Sequence, residues 1–227
     1  MNKPIKYLGM FLDSPLQSWG YQSRFDQRTT LSYPTKSGIL GILCAAMGIP
    51  KTDTKRLSEL TNLSMQSYSL VRNERPNERP IRRIKDFHTV GGGYAYPQER
   101  QNISPKADGS KGDTVVTNRE YLMDAKYAII LGGNESLIGN IGKYLKNPVW
   151  GVWCGRKSCI PAASIFQGIY NNADETIQKI IEATNTRIIR KIVEVENFEE
   201  GTDSIRDVPV DFLKREFMVR RIADNPV

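Results

Sequence analysis

Residues 33–50, YPTKSGILGILCAAMGIP, set a lysine and two hydroxyls directly ahead of an almost unbroken apolar run. Such residues could cradle a phosphate, but a Walker A loop needs G-x-x-x-x-G-K-[ST], with spaced glycines that wrap backbone N–H groups around it. Thr35, Lys36, Ser37 and Gly38 follow no glycine nearer than Gly20, so the nucleotide-loop reading fails. A helix start fits instead. Pro34 keeps the chain extended, Thr35 caps free N–H groups, and Gly48 followed by Pro50 ends the helix. Free N–H groups beside Lys36 and Ser37 also suit an anion. Two uses therefore stand for Lys36: plain capping or a phosphate contact.

Two further clusters raise the same question. Gly155, Arg156, Lys157 and Ser158 form a G-R-K-S turn within residues 136–173, where no Asp or Glu occurs but Lys143 and Lys146 do. Trp150 and Trp153 lie between the basic pairs. Cations meet phosphates, rings stack on bases and turn N–H groups reach backbone oxygens, which is what a single-stranded nucleic acid site needs. Two core tryptophans and a solvated turn would give the same pattern. The one histidine, His88 in KDFHTV, has Lys85, Tyr94 and Tyr96 close in sequence. It could trade protons near neutral pH, end a strand, bond a turn or stack on a base. Cys154 and Cys159 are spaced C-x4-C with no nearby histidine, which is not a zinc site, and Asp13 and Asp26 are isolated. No metal or other cofactor is expected.

These residues must be positioned by elements legible in the pattern. Residues 6–12 read as a strand and 36–47 as a helix with no polar face, buried on a sheet. Residues 63–71 alternate as a second strand. Residues 72–85 then pack six Lys/Arg and two Glu, and glycine and polar residues dominate 91–113. Strand character returns at 121–131. Asn134 caps a helix over 135–145, and VWGVWCG at 149–155 reads as another strand. The order is strand, helix, strand, interruption, strand, helix, strand: a ferredoxin-like split βαβ core carrying an insertion. From residue 160 a helix at 175–183 and strands near 187–194 and 217–222 make a smaller β-rich region. The acidic ENFEEGTD at 196–203 reads as a solvated loop. The fold class is α+β.

Composition narrows the function. The chain has 227 residues, 39% hydrophobic and 9% aromatic, which suits a globular protein with a sizeable core. Lys plus Arg outnumber Asp plus Glu by 32 − 25 = 7, a balance that suits a polyanionic partner. No apolar run approaches the roughly 20 residues that span a bilayer. The N-terminus has no apolar segment of the secretory kind. The three cysteines are odd in number, and Cys44 sits in the buried helix, so a disulfide framework is not expected. A cytoplasmic, membrane-free protein is the simplest reading.

Several segments taken together resemble one family. LDSPLQSWG at 12–20, YPTKSGILGIL, DFHTV at 86–90, NREYLMDAKYAI and CGRKSCIPAASIFQG at 154–168 occur in the order and spacing of the CasD family. Its members are subunits of the type I-E CRISPR surveillance complex, Cascade, and hold the 5′ end of the guide RNA. The resemblance covers the chain to about residue 170. It implies an RRM-like core over residues 1–159, a thumb inserted at about 76–117, a glycine-containing loop after the last core strand, and a small C-terminal region over 160–227. RAMP-type glycine loops usually carry more glycines than CGRKSCIPAASIFQG, so Arg156 and Lys157 would replace part of the backbone wrapping.

The implied partners are the CRISPR guide RNA, the repeated backbone subunit, the large subunit and, in the assembled complex, target DNA read by base pairing. Resemblance and charge pattern together nominate Gln17, Trp19, Arg24, Arg28, Lys36, Ser37, Arg82, Arg83, His88, Arg119, Gly155, Arg156, Lys157 and Ser158 as the RNA-contacting set. The start of the 36–47 helix is expected to face RNA beside Arg24 and Arg28. A related branch of the family cleaves precursor RNA with histidine, lysine and tyrosine, which makes His88, Lys85 and Tyr94 or Tyr96 the rival endoribonuclease set. The matching motifs belong to the branch whose complexes process RNA with another subunit, so the expected role is non-catalytic.

Overall fold

The computed structural model describes residues 4–23, 26–74, 81–90 and 115–226. β1 (Ile5–Asp13) leads into short strands β2 (Leu16–Gln17), β3 (Trp19–Gly20), β4 (Gln27–Arg28) and β5 (Thr30–Leu31). Helices α1 (Lys36–Ala46) and α2 (Thr54–Thr61) precede β6 (Ser64–Arg72), β7 (Arg82–Val90), β8 (Val115–Met123) and β9 (Lys126–Asn134). Then come α3 (Glu135–Lys146), β10 (Phe166–Tyr170), α4 (Ala173–Thr184), β11 (Thr186–Val195), β12 (Asp203–Asp211) and β13 (Glu216–Pro226).

The caps that delimit the helices are those the sequence offers. Thr35 Oγ1 accepts from Gly38 N at 3.1 Å and Asn134 Oδ1 from Leu137 N at 2.9 Å. Gly48, with φ of +64°, turns the chain away after α1. Ile39, Leu40, Ile42 and Leu43 of α1 join β1 and β9 side chains in the main core. Burying each contributes about 1.5–3 kcal/mol.

Seven strands form one sheet in the order β10-β1-β9-β6-β11-β13-β12, every neighbouring pair antiparallel. Within it, β1, β6, β9 and β10 with the intervening helices make the ferredoxin-like unit, and the C-terminal strands extend the same sheet from β6 outward. The α1–α3 layer covers one face. On the other, Ile177 and Ile180 of α4 pack with Phe11, Tyr68, Leu70, Ala128 and Ile130. Coverage on both sides explains why β1 and β9 read as continuous apolar runs rather than alternating ones. A second sheet is built on β8, which carries β7 along one side and β2 and β4 along the other.

The structure corrects two local readings. The single strand read at 121–131 is two, broken at Asp124, whose φ of +53° turns β8 into β9. VWGVWCG is not a strand. Its Val149 and Trp150 N–H groups donate to Ala46 and Ala45 carbonyls at 2.8 and 3.1 Å, satisfying the end of α1, and β10 serves as the last core strand. Helix α2 and strand β12 were not legible. Of the segment read as a thumb, β7 and the start of β8 are strands, while 76–80 and 91–114 lie outside the described residues.

Candidate nucleic-acid interface

The start of α1 is already occupied. Asp207 of β12 places Oδ2 2.7 Å from Lys36 N, accepting the first free N–H of the helix. The same carboxylate takes a bidentate pair from Arg220 at 2.7 and 2.9 Å, with side chains only 2% and 4% exposed. Lys36 Nζ in turn donates to both oxygens of Glu194 on β11, at 3.0 and 2.9 Å. The anion that the helix dipole favours is thus the protein's own. Where a phosphate contact was expected at Lys36, its ammonium and its N–H are both held by carboxylates inside the chain. Ser37, half-buried, donates only to Thr35 Oγ1 at 3.3 Å.

Gln17 and Trp19 are likewise held within the chain. Gln17 is fully buried; its amide N–H groups reach Leu12 O at 3.1 Å and Ala125 O at 2.6 Å, and its Oε1 accepts from Trp19 Nε1 at 3.2 Å. The indole packs over Gly38, where a Cβ would lie 2.9 Å from the ring. L-Q-S-W-G and P-T-K-S-G therefore form one interlocked core element.

The G-R-K-S turn is built differently. Gly155 has φ of +102°, and a Cβ there would stand 1.8 Å from the Ser18 carbonyl oxygen. Only glycine allows that approach. Cys154 N donates to Cys159 O and Cys159 N to Arg156 O, both at 2.8 Å, which closes the loop. Both thiols are buried, and burial pushes Cys154 up to about 12. The Arg156 guanidinium lies 4.8 Å over the Tyr121 ring and donates from Nη2 to Arg28 O at 3.1 Å. Its Nη1 is buried with no acceptor among the described residues. The residue as a whole is only half-buried, so its charge at the turn suits an oxygen anion. Lys157 and Ser158 are exposed beside it.

Strand register gathers more charge near this turn. Arg28 of β4 sits opposite Arg119 of β8, and β7 places Asp86 opposite Arg119, Ile84 opposite Tyr121, His88 opposite Thr117 and Arg82 opposite Met123. Directly opposed residues share a face of the sheet. Arg28, Arg82, His88 and Arg119 thus lie on the Tyr121 face, the one that Arg156 covers. Arg119 Nε donates to Thr117 Oγ1 at 2.9 Å, and His88 Nδ1 is 3.7 Å from Asp86 Oδ2. Arg83 points from the other face, with Nη1 on Thr30 O at 3.0 Å and Glu120 Oε2 at 3.4 Å. Lys85, three residues from His88, also belongs to that other face, so the strand does not bring the rival catalytic pair together.

Arg24, Tyr94 and Tyr96 lie outside the described residues. Among the described residues, no three His, Cys, Asp or Glu side chains cluster as a metal site, and no helix is long and apolar enough to cross a membrane. Sequence reasoning missed Tyr121, the platform under Arg156, although its place in NREYLM beside Arg119 was a usable signal. It also missed Asp207 and Glu194, for which no local signal exists.

The ferredoxin-like sheet thus carries an arginine-lined second sheet, whose β7–β8 pair is inserted between the second and third strands of the core. The chain belongs to the family described as CRISPR-associated protein (Cas_Cas5), which it matches over residues 7–223. It is 30% identical over 174 residues to the CRISPR system Cascade subunit CasD of Escherichia coli (strain K12), covering 74% of this chain and 73% of that one. It is also similar to a chain of a CRISPR RNA-guided surveillance complex, with a TM-score of 0.71 and 25% identity, covering 97% of this chain and 90% of that one. A crystal structure of a Cas protein aligns with a TM-score of 0.59 and 25% identity over 97% of this chain and 94% of the other.

Proposed function

We propose that this chain is a subunit of a Cascade-type CRISPR surveillance complex that grips the 5′ handle of the guide RNA and caps the backbone filament without cutting RNA. Its membership of the Cas5 family and its likeness to CasD support the subunit role. The observation that supports the RNA contact is Arg156, fixed over Tyr121 with Nη1 unpaired among the described residues and adjoined by the Arg28–Arg119 face. Arg28, Arg82, Arg119, Arg156, Lys157, Ser158 and His88 are the contacts on this reading, and Gly155 shapes the turn. Neighbours are the repeated backbone subunit and the large subunit, and target DNA meets the guide by base pairing in the cytoplasm.

Cleavage by a 2′-OH mechanism needs a base and an acid converging on one phosphate. His88 and Lys85 diverge on opposite faces of β7, which favours gripping over cutting. The test combines three measurements: copurification of tagged protein with neighbouring subunits and a defined short RNA, handle binding, and incubation of pure protein with repeat RNA with and without chelator. The expected result is tight, salt-sensitive binding and intact RNA. A single discrete cleavage product that vanishes in His88→Ala would overturn the non-catalytic reading. Absence of any RNA in the purified complex would overturn the grip.

A further inference from the structure

One aromatic ring stands in solvent on the far side of the β7–β8 ribbon. Phe87 is 69% exposed within a paired strand. The register puts Asn118 directly opposite it and Glu120 opposite Lys85, while Val116, 37% exposed, is opposite Thr89. Gln27 of β4 lies next to Asn118 in turn. Asn118 Nδ2 and Gln27 Nε2 both donate to Asp26 Oδ2, at 3.3 and 2.7 Å, and tie the flanking amides into one cluster.

The surroundings select the occupant. Among the described residues, one ring and one valine make too small an apolar patch for a protein interface, whose buried core needs several such side chains. A nucleobase needs only a flat ring to stack on, a nearby cation for its phosphate and polar groups at its edge. Lys85 is exposed two residues away on the same face, and the Gln27–Asp26–Asn118 cluster sits alongside. The chain's net charge of +7 favours a polyanionic occupant.

We propose that Phe87 is a stacking platform for one base of the bound single-stranded RNA, with Lys85 on the adjoining phosphate and the amide–carboxylate cluster beside the base edge. This rests on the RNA-gripping reading above and adds a second contact face, opposite the Arg156 side of the same sheet. RNA held on both faces passes around the ribbon rather than along one surface.

The test uses the full chain and fluorescent single-stranded repeat RNA, with Phe87→Ala, Phe87→Leu and Phe87→Trp. Alanine and leucine should each weaken binding about 5- to 100-fold, the effect of one stacked base, while tryptophan restores it. Repeat RNAs carrying 2-aminopurine at successive positions should show one strongly quenched position, and Phe87→Ala should release it. Because the side chain is exposed, thermal melting should not move. Wild-type affinity in Phe87→Leu would mean that apolarity rather than the ring face matters, which overturns stacking. Unchanged RNA affinity in all variants with lost copurification of other subunits would make Phe87 a protein contact and also overturn it. Those results leave the RNA grip intact, whereas a wild-type chain that binds no repeat RNA overturns the grip and this inference together.

Discussion

Two basic turns in this molecule look alike in sequence and behave in opposite ways. Each offers a glycine, a hydroxyl and a cation: Thr35–Gly38 at the start of α1, and Gly155–Ser158 after α3. At the first, Asp207 accepts the helix N–H and Glu194 holds the ammonium, so its electrostatics are satisfied inside the fold. At the second, the backbone closes on itself and an aromatic ring carries the guanidinium, whose Nη1 has no acceptor among the described residues. A basic turn marks a binding site only when the protein has not already supplied the anion.

Breaking the first turn should cost folding. Asp207→Ala strands the Arg220 charge, 4% exposed, in the core and should destabilise the protein by about 3–5 kcal/mol in urea melts. A loss under about 1 kcal/mol would show that the carboxylate is not what satisfies Arg220 and α1. Gly155→Ala sharpens the other side. Strained φ and the close Ser18 carbonyl should cost about 2 kcal/mol and move the loop, lowering stability and handle affinity together. If only affinity fell, the turn would not be anchored as described.

Arg156→Ala combined with Lys157→Ala should barely change melting but should flatten the salt dependence of handle binding. The log–log slope should drop by about 1.4, roughly 0.7 for each lost phosphate contact on a single strand. An unchanged slope would reduce the loop to a solvated turn. Lys36→Met is the matched control: handle affinity should hold, and stability should fall by at most about 1 kcal/mol because Glu194, 25% exposed, rehydrates. A loss of RNA affinity there would restore the phosphate role to α1.

The smallest effect concerns pH. The hydrogen bond from Arg190 holds the Asp224 carboxyl below its usual range. A depressed folded pKa stabilises the protein above the unfolded value, near 3.9, and that share disappears as pH falls through the folded value. Melting of the wild type should therefore drop across that acid window by slightly more than melting of Asp224→Asn. Equal slopes would mean that this partly exposed pair contributes nothing.

What the sequence determined alone is local. Thr35, Asn134 and Gly48 set helix ends because caps act within a few residues, and apolar periodicity placed β1, β6, β11 and β13 because burial repeats with the backbone period. The strand and helix order pointed to the ferredoxin-like core, with its last strand misplaced at VWGVWCG instead of β10. Whether Lys36 would meet a phosphate could not be read, since its partners Glu194 and Asp207 lie 158 and 171 residues away. Arg156 finds the Arg28 carbonyl across 128 residues, and VWGVWCG gave its N–H groups to the end of α1 instead of a neighbouring strand. The reason is physical. A charge or a free N–H is indifferent to chain distance and takes whichever partner the folded topology brings within about 3 Å, so only the tertiary structure decides which cations the fold itself neutralises.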